Sequence, residues 1–126
     1  MFIVKIVETV TGKLSIRLNN VGEQQIKIED QWRESHVTFK AIAEELVMAA
    51  KLSLSPYDGS PKKFTQDGVD KDGAYVIYGS FDGRFADDVR TLIISFGRRG
   101  HTINYTIPLQ GRHIIQLVDV LENFWN

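Results

Sequence analysis

Cysteine is missing from this chain of 126 residues. Its absence excludes disulfides, thiolate zinc sites and cysteine nucleophiles. It also suits a reducing compartment, so a cytoplasmic location is expected. Long apolar runs are missing too. None approaches the ~20 residues needed to span a bilayer, and no membrane partner is expected. The opening stretch MFIVKIVETV carries Lys5 and Glu8 and has no small-residue cleavage site, so it reads as a first strand rather than a signal peptide. Net charge is only −1, which leaves no global basic or acidic field.

Catalytic and metal signatures are also absent. His36, His101 and His113 are scattered, and none sits in a HExxH arrangement. There is no G-x-S-x-G and no glycine-rich phosphate loop followed by Lys and Ser or Thr. Asp87 and Asp88 are adjacent, so in a strand their carboxylates would point to opposite faces, a poor geometry for a shared proton. The acidic run DGVDKDG invites a calcium reading. An EF-hand loop with Gly73 at its sixth position would place Gly68 first and Gly79 twelfth, where carboxylates are required. The expectation is a non-enzymatic protein with no metal and no cofactor.

What is present is patterning. With 43% hydrophobic residues the chain can bury a core, and its length fits one domain, 1–126. After the first strand, KLSIRLNN alternates, with Leu14, Ile16 and Leu18 opposite Lys13, Ser15 and Arg17. EQQIKIED alternates again, and Asn19-Asn20-Val21-Gly22 between the two is turn chemistry. The outward residues of this meander would be Lys5, Lys13, Ser15, Arg17, Gln25 and Lys27. The period then changes to that of a helix over Thr38–Leu52, with Phe39, Ile42, Ala43, Leu46, Ala49 and Ala50 as its stripe and Ser35 or Thr38 as cap.

Residues 53–73 read as a long polar connection with two prolines and three Asp-Gly pairs. Strands return with AYVIYGSF, RTLIISF and HTINYTIP, the last ended by Pro108. The tail GRHIIQLVDVLENFWN reads as a second amphipathic helix, with Ile114, Leu117, Val118, Leu121 and Trp125 as its stripe. The expected class is α+β, with antiparallel sheets and two amphipathic helices in the order βββ(β)α-βββ(β)α. The extra strand of each half would lie near His36 and Phe64. The halves, 1–52 and 74–126, match in pattern and are joined by loop 53–73.

Charge is unevenly distributed along this frame. Asp67, Asp70, Asp72, Asp82, Asp87 and Asp88 crowd one segment, whereas Val89–Val118 has no carboxylate and holds Arg90, Arg98, Arg99, His101, Arg112 and His113. Single-strand binders combine cations for phosphates with surfaces on which bases stack. The candidate nucleic-acid-binding residues are therefore Arg17, Lys27, Arg90, Arg98, Arg99, His101 and Arg112. Trp32, Tyr57, Phe64 and Phe81 are candidate stacking residues. Arg98 and Arg99, flanked by Gly97 and Gly100, are expected at a hairpin tip.

The stretch RTLIISFGRRGHTINYTIPLQGRHIIQLVDVLENFW, a basic hairpin followed by a terminal helix, is similar in order and period to the unit of positive-cofactor-four-type transcriptional coactivators. The doubled layout resembles the Whirly family of single-stranded DNA-binding proteins. No Lys-Gly-Lys-Ala-Ala-type signature is present, and Glu8, Glu23 and Glu29 sit among the basic residues of the first meander. The resemblance implies sheets that splay from a helical core and hold single-stranded nucleic acid without strict sequence preference. It also implies self-association through the helices, which Phe124 and Trp125 at the end of the chain would serve. The rival reading is a protein-interaction module, an inhibitor, immunity or adaptor protein, that docks a basic partner on the acidic 67–88 surface.

Overall fold

The computed structural model describes residues 4–18, 24–29, 34–39, 44–54, 56–70, 73–83, 88–98 and 100–123. The chain is α+β and is built as a sheet and a helix, twice. In the first half β1 (Val4–Glu8), β2 (Lys13–Leu18), β3 (Gln24–Glu29) and β4 (Glu34–Phe39) precede α1 (Glu44–Leu52). In the second, β5 (Lys62–Asp70), β6 (Gly73–Asp82), β7 (Val89–Arg98) and β8 (His101–Gln110) precede α2 (Gly111–Asn123). Both sheets are antiparallel meanders, ordered β1-β2-β3-β4 and β5-β6-β7-β8. The extra strand expected near His36 and Phe64 is present in both halves.

Four local expectations are corrected. First, residues 53–73 are not one loop, because β5 occupies nine of them. Its Asp67-Gly68 pair makes no turn; it lies mid-strand, opposite Val76 and Tyr75. The alternation of Phe64 and Gln66 with Lys63, Thr65 and Asp67 was masked by the polar composition. Second, the helix expected from Thr38 begins among described residues at Glu44. Thr38 and Phe39 belong to β4, with Thr38 opposite Gln25, so Thr38 is no cap. Ile42 and Ala43 lie outside the described residues. Third, Pro108 does not end β8, which continues to Gln110. β8 is an edge strand, where a missing N–H costs no ladder bond. The Pro108 carbonyl instead accepts the Val10 N–H at 3.0 Å, joining the end of the first strand to the last. Fourth, Lys5 pairs in register with Ile16 and so lies on the core-facing side of β1, whereas Val4 and Ile6 share the outer face with Arg17 and Ser15.

One core holds the molecule together. Val7, Leu14, Ile16, Ile26 and Ile28 of the first sheet are buried in the same cluster as Phe64, Ile77, Phe81, Leu92, Ile94, Tyr105, Ile107 and Leu109 of the second. The helices supply the rest: Leu46, Val47, Ala49 and Ala50 from α1, and Ile114, Leu117, Val118 and Leu121 from α2. Each large aliphatic side chain so buried contributes roughly 1.5–3 kcal/mol. α1 packs on β5 and β6, α2 on β1 and β8, and the helices on one another. No helix among the described residues is long and apolar enough to cross a membrane.

Candidate nucleic-acid interface

Among the described residues the cations of the first sheet are interleaved with carboxylates. Its outer surface alternates as the sequence predicts, with Lys13, Arg17 and Lys27 pointing away from the core. Glu29, however, binds Lys27 at 2.8 Å and Lys13 at 3.3 Å. The hydrogen bond from Lys27, with Lys13 adding to it, holds the Glu29 carboxyl below the usual carboxylate range. Glu8 stands opposite Lys13 in register. Lys27 is thus paired with Glu29, and Arg17 stands opposite Val4 and Gln25 in register.

Arg90 is also removed from the surface set. It is 1% exposed. Its Nε donates to the Ser53 carbonyl at 2.8 Å, its Nη1 donates to the Asp88 carbonyl and carboxylate, and its guanidinium lies 5.6 Å from the Tyr57 ring centroid. Arg90 falls on the inward parity of β7, with Leu92 and Ile94, a signal that charge counting alone passes over. Arg112 is exposed on the first turn of α2, where its Nε donates to Gln110 Oε1. It stands at the far end of the ten-residue β8 from His101, roughly 30 Å away at strand rise.

Arg98 and His101 do come together. They are a cross-strand pair at the end of β7 and the start of β8. Only Arg99 and Gly100 connect the strands, so Arg98 is a strand residue and not part of the turn. Arg99 lies outside the described residues. Arg98 Nη1 donates to the Gly73 carbonyl at 2.9 Å, which ties the guanidinium across the start of β6. Gly97 makes the approach possible. Its φ is +151°, and an added Cβ would lie 2.1 Å from the His101 carbonyl oxygen.

The face that carries this pair also carries aromatic surface. Register puts Tyr75 opposite Arg98, and Phe96 opposite both Ile77 and Ile103. Tyr75 and Phe96 are half-buried, and Ile103 is exposed. Phe96 stacks on Tyr105, centroids 6.2 Å apart and planes 6° apart, so the two rings lie parallel. These residues continue the core stripe of β7 beyond the helices. A ten-residue strand is about 33 Å long and the thirteen-residue α2 about 20 Å, so the hairpin end of the sheet outruns its cover.

The aromatic residues expected to stack are core residues instead. Tyr57 is buried, with its hydroxyl donating to the Ser60 and Phe81 carbonyls; Phe64 and Phe81 are buried with ring centroids 6.1 Å apart; Trp32 lies outside the described residues. Sequence reading missed Tyr75 and Phe96. The signal was the mismatch between strand length and helix length.

Of the acidic segment, the described side chains are those of Asp67, Asp82 and Asp88. The Asp88 carboxylate is engaged by Arg90 and by the Gly111 N–H at 3.1 Å. Asp67 is exposed on the opposite sheet face from Arg98, and Asp82 is half-buried. Asp70 is described only as the backbone partner of Gly73, and Asp72 and Asp87 lie outside the described residues. Among the described residues no three His, Cys, Asp or Glu side chains converge on a possible metal site. The chain matches no protein-family model and no curated protein.

Proposed function

We propose that this protein binds single-stranded nucleic acid without catalysis, on the helix-facing side of the second sheet at its hairpin end. The observation that carries this reading is the placement of Arg98 and His101 on the same sheet face as the half-buried rings of Tyr75 and Phe96. A cation beside flat, partly exposed rings is what an unpaired strand requires, since phosphate meets charge while a base meets a π-face. The absence of any carboxylate between Val89 and Val118 keeps the hairpin free of competing anions from its own strands. The Asp88 carboxylate, although exposed, is already paired with Arg90, which weakens the acidic docking surface as an alternative.

The test is fluorescence anisotropy of a labelled oligothymidine of about 30 nucleotides at low and moderate salt, beside Arg98→Ala. Counterion release predicts binding that weakens with salt, with a shallower slope in the variant. No binding at low salt and high micromolar protein removes the reading. The search would then turn to protein partners.

A further inference from the structure

We infer that Asp70 and Asp72 set the proposed site against duplex nucleic acid, because their carboxylates compete with phosphate for Arg98. This rests on the reading of Arg98 as a phosphate contact. The β7–β8 hairpin has no carboxylate in its own strands, but its neighbour supplies them. In the order β5-β6-β7-β8 the β5–β6 and β7–β8 hairpins lie side by side at one end of the sheet. Their closing pairs are Asp70 with Gly73 and Arg98 with His101. The Arg98 guanidinium reaches from one hairpin to the other and donates to the Gly73 carbonyl at 2.9 Å.

The chain itself ties two carboxylates to that acceptor. Asp70 is the antiparallel partner of Gly73, so their Cα atoms lie about 5 Å apart. It shares strand parity with Gly68, the partner of Tyr75, and so with the face that carries Arg98. Asp72 lies outside the described residues, but it directly precedes Gly73, which sets their Cα separation at about 3.8 Å. Covalent reach alone keeps both carboxylates within roughly a Debye length of the guanidinium, about 10 Å at 0.1 M salt. Lys71 between them offsets one charge, so the segment Asp70-Lys71-Asp72 stays net negative.

A phosphate that binds Arg98 must enter beside these charges. They partly cancel the Arg98 cation before a ligand arrives, and they repel the phosphates on either side of the contact. That repulsion grows with the density of phosphate. Duplex DNA carries one charge per about 1.7 Å of axis, twice the density of one strand. A single strand recovers the loss by stacking bases on Tyr75 and Phe96, which a duplex keeps paired in its interior. The acidic segment thus removes affinity that comes from charge alone and spares affinity that needs an unpaired base.

The experiment is anisotropy of a labelled oligothymidine and of a labelled duplex, each about 30 nucleotides or base pairs long, at low salt. Asp70→Asn/Asp72→Asn removes two charges and keeps side-chain shape, and Asn suits a position before glycine as Asp does. It should tighten oligothymidine about threefold and duplex about tenfold, since the repulsion scales with phosphate density. Asp67→Asn/Asp119→Asn has the same net charge, but Asp67 is on the opposite sheet face and Asp119 is on α2. That control should change either affinity by less than about twofold. Both gains should disappear in an Arg98→Ala background. Suppose the wild type binds oligothymidine through Arg98, and Asp70→Asn/Asp72→Asn binds both ligands as the wild type does. That result overturns the inference and leaves the reading of the site standing. Equal gains for the two ligands, equal gains in the control, or gains that survive the loss of Arg98 overturn it as well. No binding by the wild type or any variant removes the inference and the reading together.

Discussion

The Asp88 carboxylate joins the buried guanidinium of Arg90 to the first N–H of α2, at Gly111. Asp88 adopts φ +64°, a conformation that Asp and Asn tolerate better than most residues. An added Cβ at Gly111 would lie 2.6 Å from Asp88 Oδ2, so glycine lets the carboxylate reach the helix end. Removing the cation strands the Ser53 carbonyl and leaves a hole beside Tyr57. Arg90→Ala should therefore cost about 3–5 kcal/mol in denaturant unfolding. Asp88→Asn keeps an acceptor and the backbone preference, and should cost only about 1–2 kcal/mol. Equal losses in the two variants would refute this division of roles.

His113 gives the fold a pH dependence. Its Nδ1 accepts the Gln110 N–H at 3.0 Å, in the manner of the third residue of a capping box. The bond requires the neutral ring. Burial lowers its pKa from 6.5, Arg112 lowers it further, and Glu8 on β1 opposes both. Above pH 6.5 the folded and unfolded rings are both neutral, and the contribution is complete. As pH falls below 6.5 the unfolded chain takes up the proton first, and stability is lost down to the lower folded value. Urea midpoints at pH 8 and pH 5.5 should therefore fall further apart in the wild type than in His113→Gln, whose amide can accept the same bond without titrating.

Gly79 tests close packing. A Cβ there would lie 2.1 Å from the Ile93 carbonyl oxygen and 2.8 Å from the Phe64 ring. The nearer atom is backbone and cannot swing aside. Gly79→Ala should destabilise by roughly 1–3 kcal/mol in a thermal melt. An unchanged melting temperature would mean that β6 and β7 can separate at this point without cost.

Two substitutions separate the parts of the proposed interface. Phe96→Leu keeps the apolar packing under Tyr105 but loses the flat ring. It should weaken oligothymidine binding by about 1–3 kcal/mol while leaving the salt slope unchanged. Tyr78, exposed on the opposite face, is the control. Tyr78→Ala should leave affinity as it was, and an equal loss there would move the interface to the other side of the sheet.

Much of the fold was legible because side-chain period reports which face is buried. Leu14-Ile16 and Leu92-Ile94 identified their strands, and Ile114-Leu117-Leu121 identified α2. β5 was hidden because only Phe64 of its inward positions is apolar, so proline and Asp-Gly signals outweighed its alternation. The candidate site was half legible. A deficit of carboxylates pointed to the β7–β8 hairpin on which the proposed interface is built, but charge counting cannot tell Arg90 from Arg98. Both share one parity eight residues apart, and one lies under the helices while the other lies beyond them. Only the lengths of the packed elements separate the two.

The strand order carries a kinetic consequence. Each sheet is a plain meander in which every pairing joins neighbours in sequence, so either can zip up through short loop closures. The bond from Arg90 to the Ser53 carbonyl spans 37 residues and links the end of one half to a strand of the other. Such a link has no reason to form until both halves are in place. Weakening it should quicken unfolding and leave the refolding rate almost untouched, a signature of contacts made after the barrier is crossed.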